Sequence, residues 1–146
     1  MNIYFVCTGN TCRSPMAEAI LKSRNLEEIE VKSAGLFAMP GSPISQNAKS
    51  VLNEQNIDFV HTAQIVSLED LKWANLILTM TTGHKEALLQ NFPQMADKTF
   101  TLKEYVRNNN DLDVFDPFGG DISTYRDTLR ELSGLMDDLE KNLLED

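Results

Sequence analysis

Apolar residues recur along this chain in two rhythms. The run Ile3-Tyr4-Phe5-Val6 is continuously apolar and rich in β-formers, which predicts a strand buried on both faces, the habit of parallel sheets. Leu76-Ile77-Leu78-Thr79-Met80 predicts another buried strand, Ile29 to Ala34 a further one that Gly35 ends, and Phe100-Thr101-Leu102 a brief one. Between them the spacing turns helical. Ser14-Pro15 signals a helix start, with Met16, Ala17, Ala19, Ile20 and Leu21 as its apolar side. Ser45 opens a helix carrying Ala48, Val51, Leu52 and Gln55. Ser67, with acidic Glu69 and Asp70 behind it, caps a short one reaching about Lys72. Gly83 to Asn91 predict another helix. The last is the clearest: Ile122, Tyr125, Leu129, Leu132, Met136, Leu139 and Leu143 recur at spacings of three and four, a stripe suited to packing on the sheet. Residues 36–44, with Pro40, Gly41 and Pro43, read as a loop, and Asn108-Asn109-Asn110-Asp111 as an exposed turn.

Strands alternating with helices predict an α/β fold, a parallel sheet with right-handed crossovers and helices on both faces. Such sheets bind ligands at the carboxyl ends of their strands, which directs attention to the segment after Val6.

Length and charge narrow the partners. The chain has 146 residues, enough for one domain, with 42% hydrophobic and 24% charged residues, a globular balance. The formal charge is -9, and the acidic excess is concentrated after residue 110. That excess repels nucleic acid and anionic membrane, so neither is an expected partner. No apolar run approaches the roughly 18 residues of a membrane span, and Ile3 to Cys7 start the chain without a basic leader, so a cytoplasmic location is expected. Cys7 and Cys12 are too few for a disulfide framework or a four-sulfur zinc site; so placed, they point to reactivity.

The loop Cys7-Thr8-Gly9-Asn10-Thr11-Cys12-Arg13-Ser14 carries the chemistry. Between a buried strand and a helix start, successive N–H groups can point into one concavity, with Gly9 and Asn10 as the residues that tolerate a positive φ. The helix N-terminus adds partial positive charge, so the nest suits a dianionic phosphate despite the acidic chain. A cation and a helix N-terminus lower a thiol pKa, which makes Cys7 a candidate nucleophile. Arg13 offers a planar fork for two phosphoryl oxygens, and the Ser14 hydroxyl is short enough to donate to the sulfur.

Three blocks, Val6-Cys7-Thr8-Gly9-Asn10-Thr11-Cys12-Arg13-Ser14-Pro15, Ser33-Ala34-Gly35 and Asp116-Pro117-Phe118, resemble the low-molecular-weight protein tyrosine phosphatases over essentially the whole chain. The resemblance implies one Rossmann-like domain, residues 1–146, with a four-stranded parallel sheet and no metal or organic cofactor. It implies catalysis through a phosphocysteine, with Cys7 as nucleophile, Arg13 as phosphate clamp and Asp116 as general acid. Thr8, Gly9, Asn10, Thr11, Cys12 and Ser14 would bind the substrate, phosphorylated proteins would be the partners, and inorganic phosphate the product. Pro117 would stiffen the position of Asp116, and Gly119-Gly120 would let its loop turn.

Thr11 is the informative departure. Tyrosine-directed members usually carry Ile or Leu there; Thr11, with Asp116-Pro117-Phe118-Gly119-Gly120, looks like the bacterial protein-arginine phosphatase branch. Phe37 and Phe118 are candidate walls on which a guanidinium can lie. Tyrosine specificity is the alternative. A thiol-dependent arsenate reductase is disfavoured because it needs further cysteines after Cys12, and a silent phosphate-binding module because Cys7, Arg13 and Asp116 are all present. Cys12, on the same loop as Cys7, predicts a reversible disulfide on oxidation. His61 and His84 are isolated and read as ordinary surface or helix residues, and Trp73 as core.

Overall fold

A computed structural model of the protein describes residues 1–107 and 111–145, the side chain of Glu145 excepted. The turn expected at Asn108-Asn109-Asn110 lies outside the described residues. The elements alternate from the start: β1 (Asn2–Cys7), α1 (Arg13–Ser23), β2 (Glu30–Gly35), α2 (Gln46–Glu54), α3 (Leu68–Trp73) and β3 (Leu76–Thr79). There follow α4 (Thr82–Asn91), a 3-10 segment (Pro93–Lys98), β4 (Thr99–Thr101), α5 (Leu102–Val106) and α6 (Ile122–Glu145).

The four strands form one parallel sheet in the order β2-β1-β3-β4. β1 is central, and its residues face two separate cores, as a continuously apolar strand must. Ile3 and Phe5 pack with Met16 and Ile20 of α1, Val51 of α2 and Leu132 of α6. Tyr4 and Val6 pack on the other side with Leu71 of α3 and Leu88 of α4. All four β1 residues are fully buried, each contributing about 1.5–3 kcal/mol of hydrophobic burial. The α6 stripe is buried in the first core, so this helix belongs to the same packing unit and not to a coiled coil. Among the described residues, no helix is long and apolar enough to cross a membrane.

Two elements differ from the sequence expectation. The strand expected at Phe100–Leu102 ends at Thr101, because Leu102 begins α5. The Thr101 hydroxyl accepts from the Glu104 amide and the Glu104 carboxylate from the Thr101 amide, a reciprocal cap that turns the chain into a helix. The Pro93–Lys98 turn of helix, with Pro at its start, has no counterpart among the elements expected from the apolar pattern.

The order β2-β1-β3 places the end of β1 where the chain first moves to one side of it and then to the other. That is the switch point at which open parallel sheets leave a crevice. Cys7 pairs in register with Gly35, and Val6 with Thr79, so the ends of three strands meet there.

Candidate active site

The segment between β1 and α1 wraps around a cavity of about 210 Å³, lined by the loop Cys7–Arg13 together with Asp116 and Phe118. The loop closes through backbone geometry. Asn10 sits in the left-handed region, φ 57°, and this one residue supplies the turn. Gly9, the other residue that could have taken a positive φ, does not; among the described residues a Cβ there would come near Thr11 Oγ1, at 3.8 Å. A left-handed asparagine is costly unless its side chain is tied down. Asn10 is fully buried and tied on every side. Its Nδ2 donates to Ser14 Oγ at 2.8 Å and Ser33 Oγ at 2.9 Å, and its Oδ1 accepts from the Gln64 amide at 2.9 Å. His61 Nε2 lies 3.0 Å from its carbonyl oxygen.

These ties extend in both directions. The Ser33 hydroxyl donates to Glu18 Oε1 at 2.5 Å, a carboxylate buried on α1 and paired with Lys22. Ser14 Oγ, having accepted from Asn10, is free to donate to Cys7 Sγ at 2.8 Å. The Asn10 amide also points at the sulfur, 3.3 Å away. α1 starts without a side-chain cap, so its first amides remain available to the loop.

Cys7 itself is 3% exposed. Burial pushes its thiol above the ordinary value, while the Ser14 hydroxyl and amide, the Asn10 amide and the positive charge of Arg13 pull it down. The neighbours expected from sequence are all present, yet desolvation outweighs them and the net direction is upward. Arg13 is nearly as buried as Cys7, a placement that suits guanidinium better than ammonium. One nitrogen donates to the Val114 carbonyl at 3.1 Å, and another lies 3.5 Å from Asp116 Oδ2. Asp116 is half exposed, and its other oxygen accepts from the Phe118 amide at 3.1 Å. Cys7, Arg13 and Asp116 therefore share one cavity although 109 positions separate the first from the last.

Of the other residues expected at the site, Thr8, Gly9, Asn10, Thr11, Cys12 and Phe118 line the cavity, and Ser14 reaches it through the sulfur. Phe37 is corrected: its ring stands 77% exposed and outside the cavity wall, although its amide holds the Thr8 carbonyl at 3.0 Å. Cys7 and Cys12 are both free thiols; Cys12 Sγ lies 3.3 Å from Tyr125 Oη and 3.5 Å from Ser45 Oγ.

Four supporting residues carry no site role in the sequence analysis: Glu18, Ser33, His61 and His84. Ser14 and Glu18 are four apart on one helix, hence on one face, and that spacing was the available signal for Glu18. Ser33 follows from the parallel register beside Phe5. His61 touches Asn10, and His84 touches Thr8 Oγ1 at 2.7 Å, so neither is an ordinary surface residue. Among the described residues, no group of three or more His, Cys, Asp or Glu is placed to hold a metal ion.

The comparisons agree with this geometry. Residues 2–146 match the family described as low molecular weight phosphotyrosine protein phosphatase. A protein-arginine-phosphatase from Geobacillus stearothermophilus is 50% identical over 141 residues, covering 97% of this chain and 95% of that one. The low molecular weight protein-tyrosine-phosphatase PtpB from Staphylococcus haemolyticus is 42% identical over 142 residues, covering 97% and 99%. Among solved structures, a YwlE arginine phosphatase C7S mutant with a phosphorylated active site serine superposes with a TM-score of 0.97 at 44% identity, covering 100% of this chain and 97% of that one. With full-length matches at these identities and a loop built to surround phosphorus, the chain belongs to the low molecular weight phosphotyrosine protein phosphatase family.

Proposed function

We propose that this cysteine-dependent phosphatase hydrolyses phosphoarginine in proteins in preference to phosphotyrosine, with residues 1–146 acting as one catalytic unit. The observation that carries the preference is Thr11, whose side chain stands in the cavity wall between Asn10 and Cys12. A hydroxyl there can orient a polar guanidino leaving group, and its methyl narrows the pocket floor. The resemblance to relatives named protein-arginine-phosphatase supports the same reading.

The chemistry follows from the groups present. The Cys7 thiolate attacks phosphorus in line, the P–N bond breaks, and Asp116 gives its proton to the departing nitrogen. Arg13 and the loop amides hold the equatorial oxygens as negative charge spreads over them. Water then attacks the phosphocysteine while Asp116 takes its proton, the S–P bond breaks, and inorganic phosphate leaves. The partial exposure of Asp116 suits a group that must meet a leaving group and then water.

The tyrosine reading has its own support in the similarity to PtpB and in Phe118, an aromatic wall of the cavity. A panel of phosphoarginine, phosphotyrosine and phosphoserine peptides separates the two. The expected result is faster phosphoarginine turnover, with a shift toward phosphotyrosine of roughly tenfold or more in relative kcat/KM for Thr11→Ile, the scale of one misplaced polar contact. An unchanged preference in Thr11→Ile removes Thr11 as the discriminator.

A further inference from the structure

Thr8 follows Cys7 directly, and among the described residues its hydroxyl has one hydrogen-bond partner, Nε2 of His84 at 2.7 Å. His84 lies in the first turn of α4, held there by its own amide, which donates to Thr81 Oγ1 at 3.1 Å. The residue is 9% exposed, and its second ring nitrogen, Nδ1, is buried with no hydrogen-bond partner among the described residues. The charged groups that face the ring are Arg13, Asp116 and Asp113.

A neutral imidazole carries one proton, so the Thr8–His84 bond has two possible directions. With the proton on Nδ1, a buried N–H would face no acceptor, and orphaned buried donors are rare in folded proteins. With the proton on Nε2, His84 donates to Thr8 and Nδ1 remains a bare acceptor, the more readily tolerated omission. The ring stays neutral near pH 7, because burial and the charge of Arg13 push it down to about 4 against the pull of Asp116 and Asp113. A doubly protonated ring would restore the orphan donor.

We propose that His84 is a positioning residue that fixes the Thr8 hydroxyl as a hydrogen-bond donor to the phosphoryl group held in the Cys7–Arg13 loop. A hydroxyl has one proton and two lone pairs. Because His84 Nε2–H occupies a lone pair, the Thr8 proton must point elsewhere, and Thr8 lines the cavity that Arg13 and Asp116 share. The loop thereby gains an uncharged donor whose direction is set before the substrate arrives, and preorganised donors are the ones that stabilise developing charge without reorganisation. The inference rests on reading this loop as the phosphatase site and deepens it.

Inorganic phosphate and orthovanadate are the probes, with affinity measured by calorimetry or by competitive inhibition. Thr8→Val keeps the volume and removes the hydroxyl, and it is expected to weaken both anions about tenfold, the scale of one hydrogen bond to a charged group. Thr8→Ser is expected to bind them within about twofold of wild type, since the donor survives. His84→Ala weakens them also, but adds nothing in the Thr8→Val background, because the two act through one hydroxyl. Nitrogen-15 NMR of the wild-type imidazole reads the tautomer without any substitution, and a proton on Nε2 is expected at pH 7. Wild-type affinity in Thr8→Val, additive losses in the double variant, or a proton on Nδ1 each overturn the proposal. A wild-type protein that binds neither anion would instead overturn the phosphatase reading of the loop itself.

Discussion

Around Cys7, burial and single hydrogen bonds pull the thiol in opposite directions. Burial holds the proton on, and Ser14 is the first of the neighbours that release it. Asn10 Nδ2 already donates to Ser14 Oγ, which leaves the serine proton for the sulfur. Ser14→Ala therefore removes a donor from the thiolate and moves the thiol further upward. Alkylation of Cys7 by iodoacetamide near pH 7 is expected to slow about tenfold, the loss of one hydrogen bond to a charged group, with its pH profile displaced to higher pH. An unmoved profile would mean that Ser14 only packs. The second thiol gives a separate expectation. A peroxide oxygen transferred to the Cys7 sulfur makes a sulfenic acid; Cys12 then displaces hydroxide to form a disulfide that thiols reduce again. Mass spectrometry after mild peroxide is expected to show the Cys7–Cys12 bond in wild type and sulfinic Cys7 in Cys12→Ser. Sulfinic Cys7 in the wild type as well would count against a protective role for Cys12.

Among the elements, the end of β2 sets the shape of the loop that follows β1. A Cβ on Gly35 would lie 2.4 Å from the Thr8 carbonyl oxygen and 2.9 Å from the Asn10 amide, both backbone atoms that cannot swing aside. Gly35→Ala must push the loop away, and is expected to lower stability by about 1–3 kcal/mol as overpacking does, and to weaken vanadate binding in parallel. Chemical denaturation and vanadate titration of the same variant check both; if neither moves, the close approach does not constrain the loop. That residue also shows what was legible. Gly35 could be read as a strand end, and β1, β3 and α6 as elements, because apolar runs and a stripe of threes and fours are local patterns. Why glycine was required there could not be read, since Thr8 is 27 positions away and is brought in by register. His61 and His84 were invisible for the same reason, and Asp116 was legible only through the family resemblance. Which of Gly9 and Asn10 takes the positive φ was equally hidden: asparagine holds that conformation because Ser14 and three residues distant in sequence, Ser33, His61 and Gln64, fasten it, and no propensity records those.

For the whole molecule, a net charge of -9 coexists with an anion-binding loop because amide dipoles and one buried arginine act at contact distance, whereas the acidic excess lies mainly beyond residue 110. The same burial of positive charge makes global stability depend on pH through His84. Its ordinary pKa of 6.5 falls to about 4 in the folded protein, first through burial and then through Arg13. Above 6.5 the ring is neutral whether the chain is folded or not, and its contribution to stability is fully present. As pH drops below that value the unfolded chain takes up a proton that the folded chain refuses, so stability falls until about 4, where the folded ring titrates too. Urea midpoints measured from pH 7.5 to 4.5 are expected to fall more steeply for wild type than for His84→Gln, which has no proton to gain. Parallel slopes for the two proteins would show that the buried ring accepts its proton as easily folded as unfolded, and that Arg13 exerts no such field on α4.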